Sequence, residues 1–191
     1  MKQRIGILGG TFNPPHYGHL LIANEVKQQL ALDELVFLPN ALSPFKQIDQ
    51  RVNDTQRVEM LSLALSELPE SRIETLELSR GGISYTYDTM VELSENYPNS
   101  EIFFIIGADQ VEKLSAWYRI DELIKLVTLV AVPRPGYKLF TSYDVQQVMI
   151  PMLDVSSTEL RKRLANRKTV KFLMPDSVAT YCEVNRLYDD A

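Results

Sequence analysis

Five short apolar runs recur along the chain: "RIGIL" at 4–8, "ELVFLP" at 34–39, "RIETLEL" at 72–78, "EIFFIIG" at 101–107 and "LVTLVAV" at 126–132. Several are apolar at successive positions rather than at alternate ones, the pattern of strands covered on both faces. Helical patterns lie between them. Val58, Leu61, Leu65 and Leu68 form one stripe over 54–68, Ile22, Val26 and Leu30 another, and a further helix is expected over 86–95. Strands alternating with helices make βαβ units, so the expectation is an α/β protein with a doubly wound, mostly parallel sheet, right-handed crossovers and helices on both faces. The least regular stretch, 133–155, reads as a loop with one or two short strands. No repeat, low-complexity tract or linker interrupts the 191 residues, which read as one domain with a helical C-terminal part from 155.

The composition is that of an ordinary globular protein, with 45% hydrophobic and 24% charged residues. A net charge of −5 argues against general nucleic-acid binding, which needs a basic surface. The basic run "RKRLANRK" at 161–168 reads, Arg161 aside, as a solvated helix face. One cysteine, Cys182, excludes an intramolecular disulfide and fits a reducing compartment; four residues after Val178 in a helical tail, it reads as a small buried hydrophobe. The start "MKQRIGIL" lacks the apolar length of a signal peptide, and nowhere do about 18 apolar residues run together. The expected setting is the cytoplasm, with no membrane partner.

In open parallel sheets, ligands bind beyond the C-terminal ends of the strands. The stretch "GGTFNPPHYGHL" at 9–20 follows the first run and holds both histidines of the chain. Gly6, Gly9 and Gly10 do not fit the dinucleotide fingerprint G-x-G-x-x-G, and strand two ends in Asn40 where that fingerprint wants an acid, so hydride transfer is disfavoured. Gly9 and Gly10 instead let backbone amides approach a phosphate, and a helix starting near Gly18 and His19 turns its positive end to the same place. His16 and His19, one turn apart, can donate to a single anion and stabilise charge that develops on it. On these residues alone three other readings stay open: histidines that cap or pack the helix, a two-histidine metal site, and a plain turn.

The stretch resembles the signature of the nucleotidyltransferase superfamily, whose H-x-G-H element is matched by His16-Tyr17-Gly18-His19. With histidine at both ends it is similar to the bacterial nicotinate-nucleotide adenylyltransferases; the sister phosphopantetheine adenylyltransferases typically carry threonine at the first position. The resemblance implies a Rossmann-like fold of the nucleotidyltransferase type. Further matches follow in order. "VSSTELRKRL" at 155–164 supplies the family's Ser-x-Thr-x-x-Arg as Ser156, Thr158 and Arg161. The same residues also read as a capping box, Ser156-x-x-Glu159, opening a helix. "LPNALSPFK" has Pro44-Phe45-Lys46 where the family usually reads Pro-His-Lys, so the lysine is kept and the histidine is not. "SYTYDT", "IIGADQ", "SAWYRI", "PRPGY" and the tail "LMPDSVATYCEVNRLY" complete the likeness.

What the resemblance implies is transfer of the adenylyl group of ATP to nicotinate mononucleotide, giving deamido-NAD and pyrophosphate. His16, His19, Lys46 and Arg161 would carry the chemistry. Gly9, Gly10, Thr11, Phe12, Gly18, Gly107, Asp109, Ser156 and Thr158 would join them around ATP. Asn40, Lys46, Tyr85, Thr86, Trp117, Tyr118 and Arg134 would meet the acceptor, with Trp117 on its ring and amides near Thr86 and Tyr118 at its carboxylate. An aromatic face with neutral amides suits a flat anionic ring, although a lone tryptophan on its own reads as core or interface. Mg²⁺ is expected on the ATP phosphates, with no protein metal site, and a homodimer is expected from how most enzymes assemble.

Overall fold

The computed structural model describes residues 2–42 and 52–189. Six parallel strands form one sheet in the order β3-β2-β1-β4-β5-β6: β1 is Gln3–Gly10, β2 Glu34–Pro39, β3 Ser71–Ile73, β4 Ser100–Gly107, β5 Thr128–Val132 and β6 Gln146–Gln147. The apolar runs are continuous because alternate residues serve two cores. Leu35, Phe37, Phe103, Ile105, Val130 and Val132 face one side; Ile5, Ile7, Val36, Phe104, Leu129 and Ala131 face the other. The first side is covered by α1 (Tyr17–Gln29), α2 (Asp54–Leu65), α7 (Ser157–Ala165) and α8 (Asp176–Val184). The second is covered by α4 (Thr86–Asn96), α5 (Ala108–Val111) and α6 (Ile120–Leu126). The doubly wound parallel sheet expected from the pattern is therefore present.

Two expectations need correction. The run 72–78 is not one strand: β3 ends at Ile73, and α3 spans Leu76–Arg80. Glu74 explains the break, since its carboxylate accepts from the Leu76 N–H at 3.2 Å and turns the chain out of the sheet. On α2 the buried face is Arg57, Met60, Leu61 and Ala64, whereas Val58 and Leu65, and Leu68 beyond the helix end, are only partly covered. The stripe is rotated because a charged residue, Arg57, lies inside it. Between β5 and α7 the chain is irregular save for the two-residue β6, as the sequence suggested. Cys182 is buried beside Met60, and burial pushes its thiol up to about 12, so it is an inert part of the core. Among the described residues no helix is long and apolar enough to cross a membrane.

Candidate active site

Strands β1, β2, β4 and β5 all end at one cleft of about 630 Å³. Its walls come from the loop after β1, the start of α4, the segment after β4, Pro133–Pro135 after β5, and the start of α7. Every site residue singled out from the sequence lines this cleft except Lys46, which with Phe45 lies outside the described residues. The sheet order accounts for the convergence: β1 and β4 are the central pair, and the chain leaves them toward opposite edges, opening a crevice between.

The loop after β1 is held from behind by bonds that sequence separation hides. Arg161 Nη1 donates to the Asn13 carbonyl at 2.7 Å, and Ser157 Oγ to the Pro14 carbonyl at 2.9 Å. The Tyr188 hydroxyl donates to Asn13 Oδ1, bringing the C-terminal segment under the loop. Arg57 Nη1 donates to the Thr11 carbonyl at 2.9 Å. The sequence gives no local sign of these roles for Asn13, Ser157, Tyr188 or Arg57, whose partners lie far along the chain.

His16 caps α1, and its main-chain N–H donates to His19 Nδ1 at 3.2 Å. Accepting at Nδ1 leaves the ring proton of neutral His19 on Nε2. The two imidazoles stack at 3.7 Å with 23° between planes, and Phe12 presses on His19 with ring centroids 5.0 Å apart at 70°. His16 is only 6% exposed. Burial, aided by the positive charge of Arg134, lowers its pKa to about 3, so it is a neutral imidazole at physiological pH.

The glycines serve packing more than backbone freedom. None of Gly9, Gly10, Gly18 and Gly107 has a positive φ. A Cβ on Gly18 would stand 3.0 Å from His16 Cε1 and from Val155 Cγ1; one on Gly107 would stand 2.7 Å from Asp109 Oδ1. Gly18 thus makes room for the His16 ring, and Gly107 for the Asp109 carboxylate. Asp109, nearly buried, pairs with Arg134 Nη1 at 3.0 Å.

At the start of α7, Ser156 Oγ accepts from the Glu159 N–H at 3.2 Å, which is half of the expected capping box. The other half is absent: Glu159 pairs with Arg163 at 3.1 Å, one turn on. The Glu159 carboxylate therefore lies away from the helix end, where Arg161 Nη2 meets Thr158 Oγ1 at 3.4 Å. This end of α7 presents donors to the cleft, the arrangement that binds phosphate.

Across the cleft, Tyr85 and Tyr118 lie 4.9 Å apart, Tyr87 closes on Tyr118 at 6.1 Å, and Trp117 stands edge-on to Phe104 at 6.2 Å. Asn40 closes the floor, its N–H donating to the Gly10 carbonyl at 3.0 Å. A buried carboxyl also lines this side of the cleft. Glu77 is 4% exposed, lines the cleft and accepts from Thr89 Oγ1 at 2.8 Å; burial holds its pKa above the usual carboxylate range.

The cytidylyltransferase-like family model matches residues 7–163. The nicotinate-nucleotide adenylyltransferase of Bacillus subtilis is 46% identical over 187 residues, 98% of this chain and 99% of its own. The probable nicotinate-nucleotide adenylyltransferase of Geobacillus kaustophilus is 52% identical over 185 residues, 97% of this chain and 86% of its own. This chain belongs to the nicotinate-nucleotide adenylyltransferase family. The fold agrees: the Plasmodium falciparum nicotinic acid mononucleotide adenylyltransferase, solved with NaAD, superposes with a TM-score of 0.84 at 20% identity, over 97% of both chains. Membership in this family fits a cleft with a donor-rich side and an aromatic side, since a reaction joining two nucleotides needs a place for each.

Proposed function

We propose that the protein transfers the adenylyl group of ATP to the phosphate of nicotinate mononucleotide, forming deamido-NAD and pyrophosphate. The observation that carries the reading is the shared cleft: the His16–His19 pair, the donor end of α7 and the Tyr85–Trp117–Tyr118 group open onto one space. A phosphate oxygen of the acceptor attacks the α-phosphorus, and the bond from that phosphorus to the oxygen bridging it to the β-phosphate breaks. The second pKa of a phosphate monoester is about 6, so the nucleophile is ionised at neutral pH without a general base. The work left to the protein is alignment and stabilisation of charge.

In this reading His16 and His19 Nε2–H donate to the α- and β-phosphate oxygens. Ser156, Thr158, Arg161 and Lys46 take the outer phosphates, with Gly9, Gly10, Thr11, Phe12 and Gly18 shaping the loop around them. Gly107 and Asp109 border the adenosine. Trp117 stacks on the nicotinate ring, amides near Thr86 and Tyr118 meet its carboxylate, and Asn40, Lys46, Tyr85 and Arg134 complete the acceptor side. Arg134 exchanges its partner Asp109 for a substrate oxygen. Mg²⁺ fits as a cation carried on the triphosphate, because His19, Ser156, Thr158 and Arg161 offer hydrogen-bond donors there rather than a carboxylate cage, and it would supply neutralisation of phosphate charge. We take 1–191 as one domain working as a cytoplasmic homodimer.

The deciding assay offers ATP with nicotinate mononucleotide, nicotinamide mononucleotide or phosphopantetheine separately and follows pyrophosphate release. Turnover fastest with nicotinate mononucleotide is expected. Turnover with phosphopantetheine alone would assign the sister reaction, and no turnover with any acceptor would point to a nucleotide-binding protein. Sedimentation at assay concentrations tests the dimer.

A further inference from the structure

Among the described residues the largest fully buried side chain is charged, and the proposed reaction gives it no task. Arg57, on the first turn of α2, has no measurable exposure and is not part of the cleft wall. Its Nη1 donates to the Thr11 carbonyl at 2.9 Å, and its Nη2 to the Asn40 carbonyl at 2.8 Å and to Asp54 Oδ1 at 2.6 Å. A buried guanidinium is costly unless its donors are met, and here two of its three nitrogens are spent on main-chain oxygens.

Those two oxygens belong to the residues just beyond β1 and β2, both of which line the cleft. The Thr11–Phe12 peptide is trans, so its carbonyl and N–H point in opposite directions. Drawing the carbonyl back to Arg57 turns the Phe12 N–H forward. Phe12 itself has φ 49°, a left-handed backbone that a bulky aromatic residue adopts only when its surroundings enforce it. The enforcement is visible on both sides: Arg57 holds the preceding carbonyl, and the Phe12 ring is buried against Phe37 and His19. The same guanidinium fixes Asn40, whose N–H is tied to Gly10, so one side chain sets the spacing between the ends of both strands.

We infer that Arg57 is a positioning residue: from behind the cleft wall it aims the Phe12 N–H at the triphosphate and holds the opening loop in register with Asn40. The inference rests on the adenylyl-transfer reading. A lysine cannot replace it, because one ammonium does not span two carbonyls and a carboxylate as the planar fork does.

The test is Arg57→Lys, with adenosine and inorganic tripolyphosphate as binding probes and steady-state turnover alongside. The expected result is a folded protein whose adenosine affinity stays within threefold of wild type. Its tripolyphosphate affinity and kcat each fall tenfold or more. A kcat within threefold of wild type, or equal losses for adenosine and tripolyphosphate, overturns the inference. Should Arg57→Lys not fold, Asp54→Asn carries the test, since it keeps the arginine but removes the charge that steadies it. A three- to tenfold fall in kcat is expected there, and an unchanged kcat overturns the inference. If wild-type protein turns over no acceptor, the reaction assignment fails, while the adenosine–tripolyphosphate comparison still judges Arg57.

Discussion

Arg161 Nη1 donates to the carbonyl oxygen of Asn13 at 2.7 Å, joining the start of α7 to the loop after β1 across 148 residues of sequence. One side chain thereby serves as a brace for the loop and as a cation at the edge of the proposed triphosphate subsite. Arg161→Lys keeps the charge but cannot brace and bind at once. A charged hydrogen bond is worth about 1.5–3 kcal/mol, so kcat/KM for ATP should fall roughly 10- to 100-fold. Kinetics with ATP varied at saturating acceptor check this; a lysine variant with wild-type kcat/KM would remove the role.

His19 separates two functions within one ring. Nδ1 accepts from the His16 N–H and so supports the start of α1, while Nε2–H is the proposed phosphate donor. Asparagine offers an acceptor close to the Nδ1 position and nothing at Nε2. His19→Asn should therefore fold nearly as stably as wild type yet lose about 3 kcal/mol of barrier lowering, roughly a hundredfold in kcat. His19→Ala should lose the same activity and also about 1 kcal/mol of stability. Melting curves beside kcat separate the two, and an asparagine variant with normal turnover would exclude His19 Nε2 from the chemistry.

Much of this was legible in the chain because its signals are local. Continuous apolar runs announce strands buried on both faces, and the residues crowded after four of those runs mark the cleft. What was not legible depends on partners distant in sequence. Nothing near Arg57 in the sequence announces that its partners are carbonyls at positions 11 and 40. Glu77 falls in a run whose pattern reads as strand, which conceals the burial of its carboxyl against Thr89. Gly9 and Gly10 line the cleft and read in the sequence as room for backbone amides, whereas in the folded chain aromatic rings stand where a Cβ would go, as an imidazole does at Gly18 and a carboxylate at Gly107.

Gly18 turns that last point into a measurement. It is the second residue of α1, where alanine is favoured over glycine by at most about 1 kcal/mol. Yet the new methyl would meet the His16 ring and Val155 at 3.0 Å, closer than comfortable contact. Gly18→Ala should hold or raise the melting temperature while kcat drops by about tenfold, the loss expected from misplacing a positioned donor. Loss of stability together with activity would show the glycine to be structural only.

The depressed pKa of His16 carries a pH signature with a definite sign. Its folded value is about 3 against an ordinary 6.5, because burial and Arg134 disfavour the charged ring. Between those values the unfolded chain binds the proton and the folded chain does not, so His16 costs stability as pH falls from 6.5 toward 3. The full slope is about 1.4 kcal/mol per pH unit. Denaturant unfolding of wild type and His16→Gln at pH 7.5, 6 and 5 should show the wild type losing stability relative to the variant on acidification. Contributions from groups such as Glu77 cancel in that difference. In the nuclear magnetic resonance spectrum the His16 ring signal should stay flat from pH 8 to 5. Loss of turnover below pH 6 would then belong to protonation of the acceptor phosphate, whose pKa is about 6, and should persist in the His16→Gln variant. A His16 titration near 6.5 would contradict both the buried neutral ring and its part as an uncharged donor.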